Sequence, residues 1–577
     1  MDVPTSLFKI RTLLQRLPSF PDVHSNLLWA GLVGFAGALA TIAFRDGLAG
    51  MQWLLIGRSG SIVEMARTLP WQMRVILPCA GGVVAGAFLV VAKRYASGLS
   101  PDYMEAIAIG NGRISVRQTF LHSVSSLCTI ASGGSIGREG SMVQLAAMCA
   151  SVIGRITQFE PSRLRLLVAC GAAAGITSAY NAPIASAFFV TEIVLGTIVM
   201  DSFGPIMIAS VVANITMRAF PGYKPTYEMP AFPAVATLEA ILFVGLGIVA
   251  GLTAPQFLRL LGVAKQQFHR SALPLPVRLG LGGLAVGIIS VWVPQVWGNG
   301  YSVVNSLLHE PWLWSTVLIV LICKIAATAF TSGSGAVGGI FTPTLFVGAA
   351  IGWLFGQAMH GLWPDYVSAP FAYAIVGMGA FLAATTSAPL MAILMIFEMT
   401  LSYQVMLPLM LSCIVAYFVA RSIAGTSMYE ITIKRNRDEK ARLRLRATQM
   451  RDLIKPAGTV LPMSAAFGEM TDMFLQHPVK YIYVVDDAQR FQGVVALQDL
   501  TSDLMDEHAR DTKRAQDFLR RDFLPVITPE MSLGDALQYF LVHQGERLPV
   551  VQSLEEPILL GVVYKTSLLD AYFRLNR

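Results

Sequence analysis

The sequence predicts an all-α polytopic membrane domain, built as a two-half inverted repeat with broken helices, followed by a C-terminal α/β domain. Three observations predict it. Only 14% of the 577 residues are charged while 54% are hydrophobic. Charge returns abruptly after Tyr429. A Gly-rich loop, an Ala-Pro pair and a glutamate recur in the same order in two halves of the apolar region.

Soluble globular chains carry about 25% charged residues. With a mean hydropathy of +0.57, this chain is too apolar for a water-solvated surface. A soluble enzyme with a very large core is hard to reconcile with so few charges. The net charge of +7 reads mainly as a topology signal, because Lys and Arg beside a membrane span favour the cytoplasmic side. The basic run Ile433 to Arg446 is taken as membrane-flanking rather than as a nucleic-acid site. All six cysteines lie in apolar segments without metal-ligand spacing and read as small buried hydrophobes.

Residues 1–25 are expected to hold a cytoplasmic or interfacial helix. Phe8-Lys-Ile-Arg-Thr-Leu-Leu-Gln-Arg-Leu17 has the pattern of a short basic amphipathic helix, and nothing there resembles a secretory signal. Residues 26–430 form the membrane domain. Leu27–Phe44, Ala240–Leu258 and Leu313–Thr331 approach the roughly 20 apolar residues that a span needs. Gln118–Ile130, Met142–Ile153, Leu164–Ile176, Pro183–Val199 and Pro389–Thr400 are shorter and broken by Gly or Pro. Such segments stop inside the membrane, which is tolerated only where protein or a water-filled cavity surrounds them.

The internal repeat is specific. Tyr180-Asn-Ala-Pro183 is followed nine residues later by Glu192, and Thr386-Ser-Ala-Pro389 nine residues later by Glu398. Upstream lie the loops Ala131–Gly137 and Thr331–Gly339. A period of roughly 200 residues is too long for a solenoid and fits two transporter halves with a site between broken helices.

A basic linker, 431–449, leads to the tail. Residues 450–505 and 522–575 each read as a β-α-β-β-α unit, with Ile482–Val485 and Leu548–Val551 as corresponding strands.

The chemistry concentrates in the loops. Gly133-Gly-Ser-Ile-Gly-Arg-Glu-Gly-Ser141 opens an apolar helix, whose start offers unpaired N–H groups and a positive dipole end to an anion. Glu139 sits among those donors. A carboxylate there can hold the anion's own position and leave it when protonated or displaced, which makes it a gate. The simpler alternative is an acid that only stabilises the helix start. Gly338-Gly-Ile-Phe-Thr-Pro343 repeats the logic without the acid, through the amides of Ile340 and Phe341. Arg138 is either an anion attractor at the mouth or an interfacial anchor. Glu192 and Glu398 look like inter-helix hydrogen-bonding groups.

These residues resemble the CLC family of chloride channels and proton-coupled chloride antiporters, over about Leu27 to Tyr429. Gly137-Arg138-Glu139-Gly140 matches the family's external-gate motif, which implies that Glu139 gates and that Arg138 and Gly140 belong to the anion site. Gly339-Ile-Phe-Thr-Pro343 matches its second anion-binding loop, implicating Ile340 and Phe341. The family's anion-coordinating tyrosine falls on Tyr429. Its first motif appears as Ala96-Ser-Gly-Leu-Ser-Pro101 with one extra residue, so Ser97 is the candidate hydroxyl. Ser141 replaces a usual proline, a feature of the ClcB-type bacterial branch. The antiporters' second, proton-relaying glutamate falls on Ile193, beside Glu192. That favours channel-like conduction, with antiport as the alternative and Glu192 as the remaining proton-pathway candidate.

The tail resembles a tandem CBS domain, which implies adenine-nucleotide binding with Asp499 holding the ribose, or a tail that only supports dimerisation. The resemblance further implies a homodimer in a bacterial cytoplasmic (inner) membrane, both termini cytoplasmic, with chloride and in the alternative a proton as cargo. It implies no enzyme activity, no required cofactor and no metal. A fluoride-selective relative would have changed the serine at Ser97, and a CBS-containing cation transporter would need clustered membrane carboxylates.

Overall fold

The computed structural model describes residues 22–58, 60–95, 102–220, 227–228, 230–233, 239–423, 427–429, 450–501, 503, 512–521, 525–542 and 546–575. The expected helix at Phe8–Leu17, the linker 431–449 and Ser97 lie outside them. The chain divides into two units, Met1–Ile433 and Lys434–Arg577.

In the first unit, eight helices among the described residues are long and apolar enough to cross a membrane. The expected spans fall on Asp22–Ile56, Glu239–Arg270 and Trp314–Gly333, with Leu313 as the cap ahead of the last. Phe341–Leu362 follows the second glycine-rich loop. Trp71–Arg94, Met200–Ala219, Leu275–Trp292 and Tyr403–Ile423 are further spans that the apolar pattern did not single out. Two of them carry a proline in the helix interior, Pro78 and Pro205, which reads as a break in sequence. Inside a membrane, neighbouring groups satisfy the backbone that proline frees, so the helix continues.

Large apolar side chains such as Leu54, Ile241, Trp292 and Leu407 point outward, as a lipid-facing surface requires. The interior is rich in small residues. Ala169, Ala172, Ala173 and Ala174 are fully buried on the helix Pro161–Tyr180, letting backbones approach closely.

The repeat is reproduced dihedral by dihedral. Pro161–Tyr180 ends on Asn181 at φ 58°, and Pro370–Thr386 ends on Ser387 at φ 58°. Ala182 and Ala388 follow with ψ 79° each, and Pro183 and Pro389 then start new helices. Proline is suited to that first position, where its missing N–H would have had no helical partner. The first of these helices passes into a π-helical stretch, Phe189–Leu195, while the second, Pro389–Thr400, stays α-helical.

The two glutamates of the repeat bind each other's half. Glu192 accepts from the amides of Leu390 at 3.4 Å and Met391 at 2.8 Å. Glu398 accepts from Ile184 at 2.9 Å and Ala185 at 2.7 Å. Each carboxylate thus caps the first turn of the other half's short helix, where unpaired N–H groups and the dipole favour an anion.

In the second unit, β1 (Val460–Pro462) runs parallel to β2 (Tyr481–Val485), which pairs antiparallel with β3 (Phe491–Ala496). In the other copy β4 (Arg547–Val551) pairs antiparallel with β5 (Leu559–Tyr564), and Ile527 forms a parallel bridge to Val550. The helices Phe467–Gln476 and Leu533–Val542 hold corresponding places. Tyr483, Val494, Leu548 and Val562 share one apolar core, which joins the two copies.

Candidate functional site

The two glycine-rich loops meet. Gly137 donates its N–H to the Gly339 carbonyl at 2.7 Å, and Gly339 donates back to Gly137 at 2.9 Å. This antiparallel bridge brings together the starts of two helices, Glu139–Ile156 and Phe341–Leu362, one from each half. Only glycine fits at the crossing: a Cβ on Gly137 would lie 2.1 Å from Glu139 Oε2 and 2.8 Å from the Gly339 carbonyl.

Glu139 is buried, with 3% of its surface exposed. Its Oε1 accepts the Tyr301 hydroxyl proton at 2.6 Å. Its Oε2 has no hydrogen-bond partner among the described residues. The Tyr301 oxygen lies 3.1 Å from Thr342 Oγ1, which in turn lies 3.0 Å from the Tyr180 hydroxyl. A carboxylate in a membrane interior is costly, and here one charge-assisted hydrogen bond and the helix start offset part of that cost.

Beside Glu139 lies a cavity of about 410 Å³. Its wall includes Glu139, Gly140, Ile340, Phe341 and Tyr429, so five of the sequence candidates converge on one space. Their amide and hydroxyl groups, with a helix start on each side, suit a small desolvated anion. Phe341 packs on Tyr180 at 4.9 Å between ring centroids, and Tyr429 meets the edge of Phe189 at 5.5 Å. Asp102, His122 and Gln144 also line the cavity.

Arg138 sits with its guanidinium 5.7 Å from the centre of the Tyr301 ring, and it is not among the lining residues. Glu192 turns to the amides of Leu390 and Met391 as described above. Ile193 is buried. In the other unit, Asp499 faces Arg520 in a two-point ion pair, Nε to Oδ2 at 2.7 Å with Nη2 on Oδ1.

Sequence reasoning missed Tyr301, Thr342 and Tyr180. The last two carried a signal: Thr342 lies inside Gly-Ile-Phe-Thr-Pro and Tyr180 opens the repeated Tyr-Asn-Ala-Pro. Tyr301 follows Gly298-Asn299-Gly300, an ordinary turn, and nothing local ties it to a glutamate 162 positions away.

A family model described as voltage gated chloride channel matches residues 80–421. The chain belongs to this family. A CBS domain model matches residues 515–574 of the same CLC-family chain. Among curated relatives, a ClcB-like chloride channel protein of Ralstonia nicotianae is 56% identical over 72% of this chain and 98% of its own length. The voltage-gated ClC-type chloride channel ClcB of Citrobacter koseri is 40% identical over 70% of this chain and 98% of its own length. Among solved structures, that of a slow cyanobacterial Cl⁻/H⁺ antiporter superposes with a TM-score of 0.63 at 27% identity, covering 72% of this chain and 99% of that one. A eukaryotic CLC transporter, 17% identical, has the same fold over 98% of this chain and 99% of its own, at a TM-score of 0.62.

Proposed function

We propose that this chain passes chloride across the membrane through the cavity beside the paired helix starts, by channel-like conduction gated at Glu139. The observation that carries the reading is the seat of Glu139: a buried carboxylate on the cavity wall, at a helix start clamped to its counterpart from the other half. The amides of Gly140, Ile340 and Phe341 stand at helix starts, and the Tyr429 side chain lines the same space. Ser97 is the further hydroxyl implied for the anion. Arg138 is assigned to the mouth, where its charge attracts anions. Binding by partial charges keeps the anion loosely enough held to leave. Ionised Glu139 competes with chloride for the helix starts. Protonation or displacement frees the path.

A proton-coupled antiporter is the second reading. The likeness to a Cl⁻/H⁺ antiporter structure favours it. Ile193 at the relay position opposes it, since an apolar side chain carries no proton, and Glu192 is then the candidate carrier. The same proposal assigns the chain to a bacterial inner membrane as a homodimer with both termini cytoplasmic, and assigns an adenine nucleotide to the tail through Asp499.

The test is a liposome assay of the purified full chain that records chloride and protons together. Chloride efflux without uphill proton movement supports conduction. Uphill proton movement driven by a chloride gradient supports antiport. An absence of chloride flux overturns both.

A further inference from the structure

The hydroxyls beside Glu139 form a chain with a fixed direction. An ionised carboxylate only accepts, so the Tyr301 proton is committed to Glu139 Oε1. The Tyr301 oxygen must then accept from Thr342, and the Thr342 oxygen from Tyr180, because each hydroxyl has one proton. Three donors in series polarise one another toward the carboxylate. All three come from elements other than the Glu139 helix: the starts of Tyr301–His309 and Phe341–Leu362, and the end of Pro161–Tyr180.

A second observation concerns what holds Tyr301 in place. Lys324 is fully buried in the membrane helix Trp314–Gly333. A lysine at such a site is costly and is retained for a purpose. Its Nζ donates to the carbonyls of Val296 at 2.9 Å and Gly298 at 2.6 Å. These carbonyls belong to the turn that runs directly into the helix beginning at Tyr301. Between them, the buried Trp297 ring faces the gate loop, where a Cβ on Gly133 would lie 2.4 Å from Trp297 Cδ2. The turn is therefore tied to both the lysine and the gate loop.

We propose that Tyr301 is the latch of the gate, holding ionised Glu139 in its seat, and that Lys324 is the positioning residue that keeps the latch in register. The proposal rests on the reading of Glu139 as the gate. A donor to the charged form of an acid favours that form, so the latch raises the proton concentration needed to open the path. The phenols of Tyr180, Tyr227 and Tyr429 also lie within electrostatic reach of Glu139, Arg138 adjoins it, and His122 and Asp102 share the cavity. Of these groups, Tyr301 alone donates a hydrogen bond to the Glu139 carboxylate among the described residues.

Chloride efflux from liposomes containing the full chain is measured against pH for six proteins: wild type, Tyr301→Phe, Lys324→Met, Lys324→Arg, Glu139→Gln and the double variant Glu139→Gln/Tyr301→Phe. Tyr301→Phe keeps the ring and removes the proton. Its half-activation pH is expected about one unit or more above wild type, with flux near neutrality several-fold higher. Lys324→Met is expected to shift the midpoint in the same direction, and Lys324→Arg to keep the wild-type profile. With Glu139→Gln as background, Tyr301→Phe should change nothing further. An unshifted midpoint in Tyr301→Phe overturns the latch while Glu139→Gln still abolishes the pH dependence. If Glu139→Gln keeps the wild-type profile, the gate reading itself fails. Loss of folded protein in Lys324→Met with an unmoved midpoint makes Lys324 a packing residue only, and overturns its positioning role.

Discussion

Glu192 and Glu398 are exchanged between the halves of the membrane domain: each caps the short helix that carries the other. The exchange ties together two segments that are each too short to span a bilayer. It also binds the carboxylates of both acids to backbone amides, in keeping with their reading as inter-helix hydrogen-bonding groups.

Replacing either acid with alanine leaves two backbone amides without their acceptor. A loss of about 1–3 kcal/mol is expected for each, from the uncompensated donors. Because the two sites are related by the repeat, Glu192→Ala and Glu398→Ala should lower the thermal midpoint by similar amounts in detergent. A large asymmetry would show that Glu192 does something its counterpart does not. Proton flux lost in Glu192→Gln at unchanged stability would point to the antiport route.

Glu139→Gln removes the charge proposed to compete with the anion and keeps the shape. Chloride flux should persist and lose most of its dependence on pH. The measurement is electrode-recorded efflux from liposomes. Unchanged flux and unchanged pH dependence would remove Glu139 from the gate.

Gly137→Ala puts a methyl group against the Glu139 carboxylate and the Gly339 carbonyl. The carboxylate has to leave its seat, and the bridge between the loops has to widen. Overpacking of this kind costs about 1–3 kcal/mol. The variant should melt earlier and conduct more near neutral pH. A crystal structure with Glu139 still on Tyr301 would contradict the prediction.

The Asp499–Arg520 pair engages both oxygens of the carboxylate expected to hold a ribose. Binding of adenine nucleotide therefore has to compete with the arginine. Titration calorimetry on the full chain should find that Arg520→Gln binds ATP more tightly than wild type. Weaker binding would mean that Arg520 serves the ligand instead. The side chains are 32% and 23% exposed, so loss of the pair itself should cost only about 1 kcal/mol or less.

Much of the site was readable in the chain. Glycines beside a helix start and an acid among unpaired amides are local features, and local features survive in sequence order. The match of Ala182-Pro183 with Ala388-Pro389 and of Glu192 with Glu398 revealed the two halves because both copies kept the same turn dihedrals. Helix count was less legible, since Pro78 and Pro205 read as breaks and are absorbed by neighbours in the folded domain.

The sequence by itself determined the membrane class, the tandem tail, the two glycine-rich helix starts and the acid that opens the first of them. Composition and short-range spacing encode all of these. Only the tertiary structure decided which groups meet: Gly137 with Gly339, Glu192 with Met391, and Tyr301 with Glu139. Those contacts join residues roughly 160–200 positions apart, where no periodicity links one partner to the other. Hydrogen bonds are short-ranged and directional, so they exist only once packing of whole helices has fixed both partners to within a few tenths of an ångström.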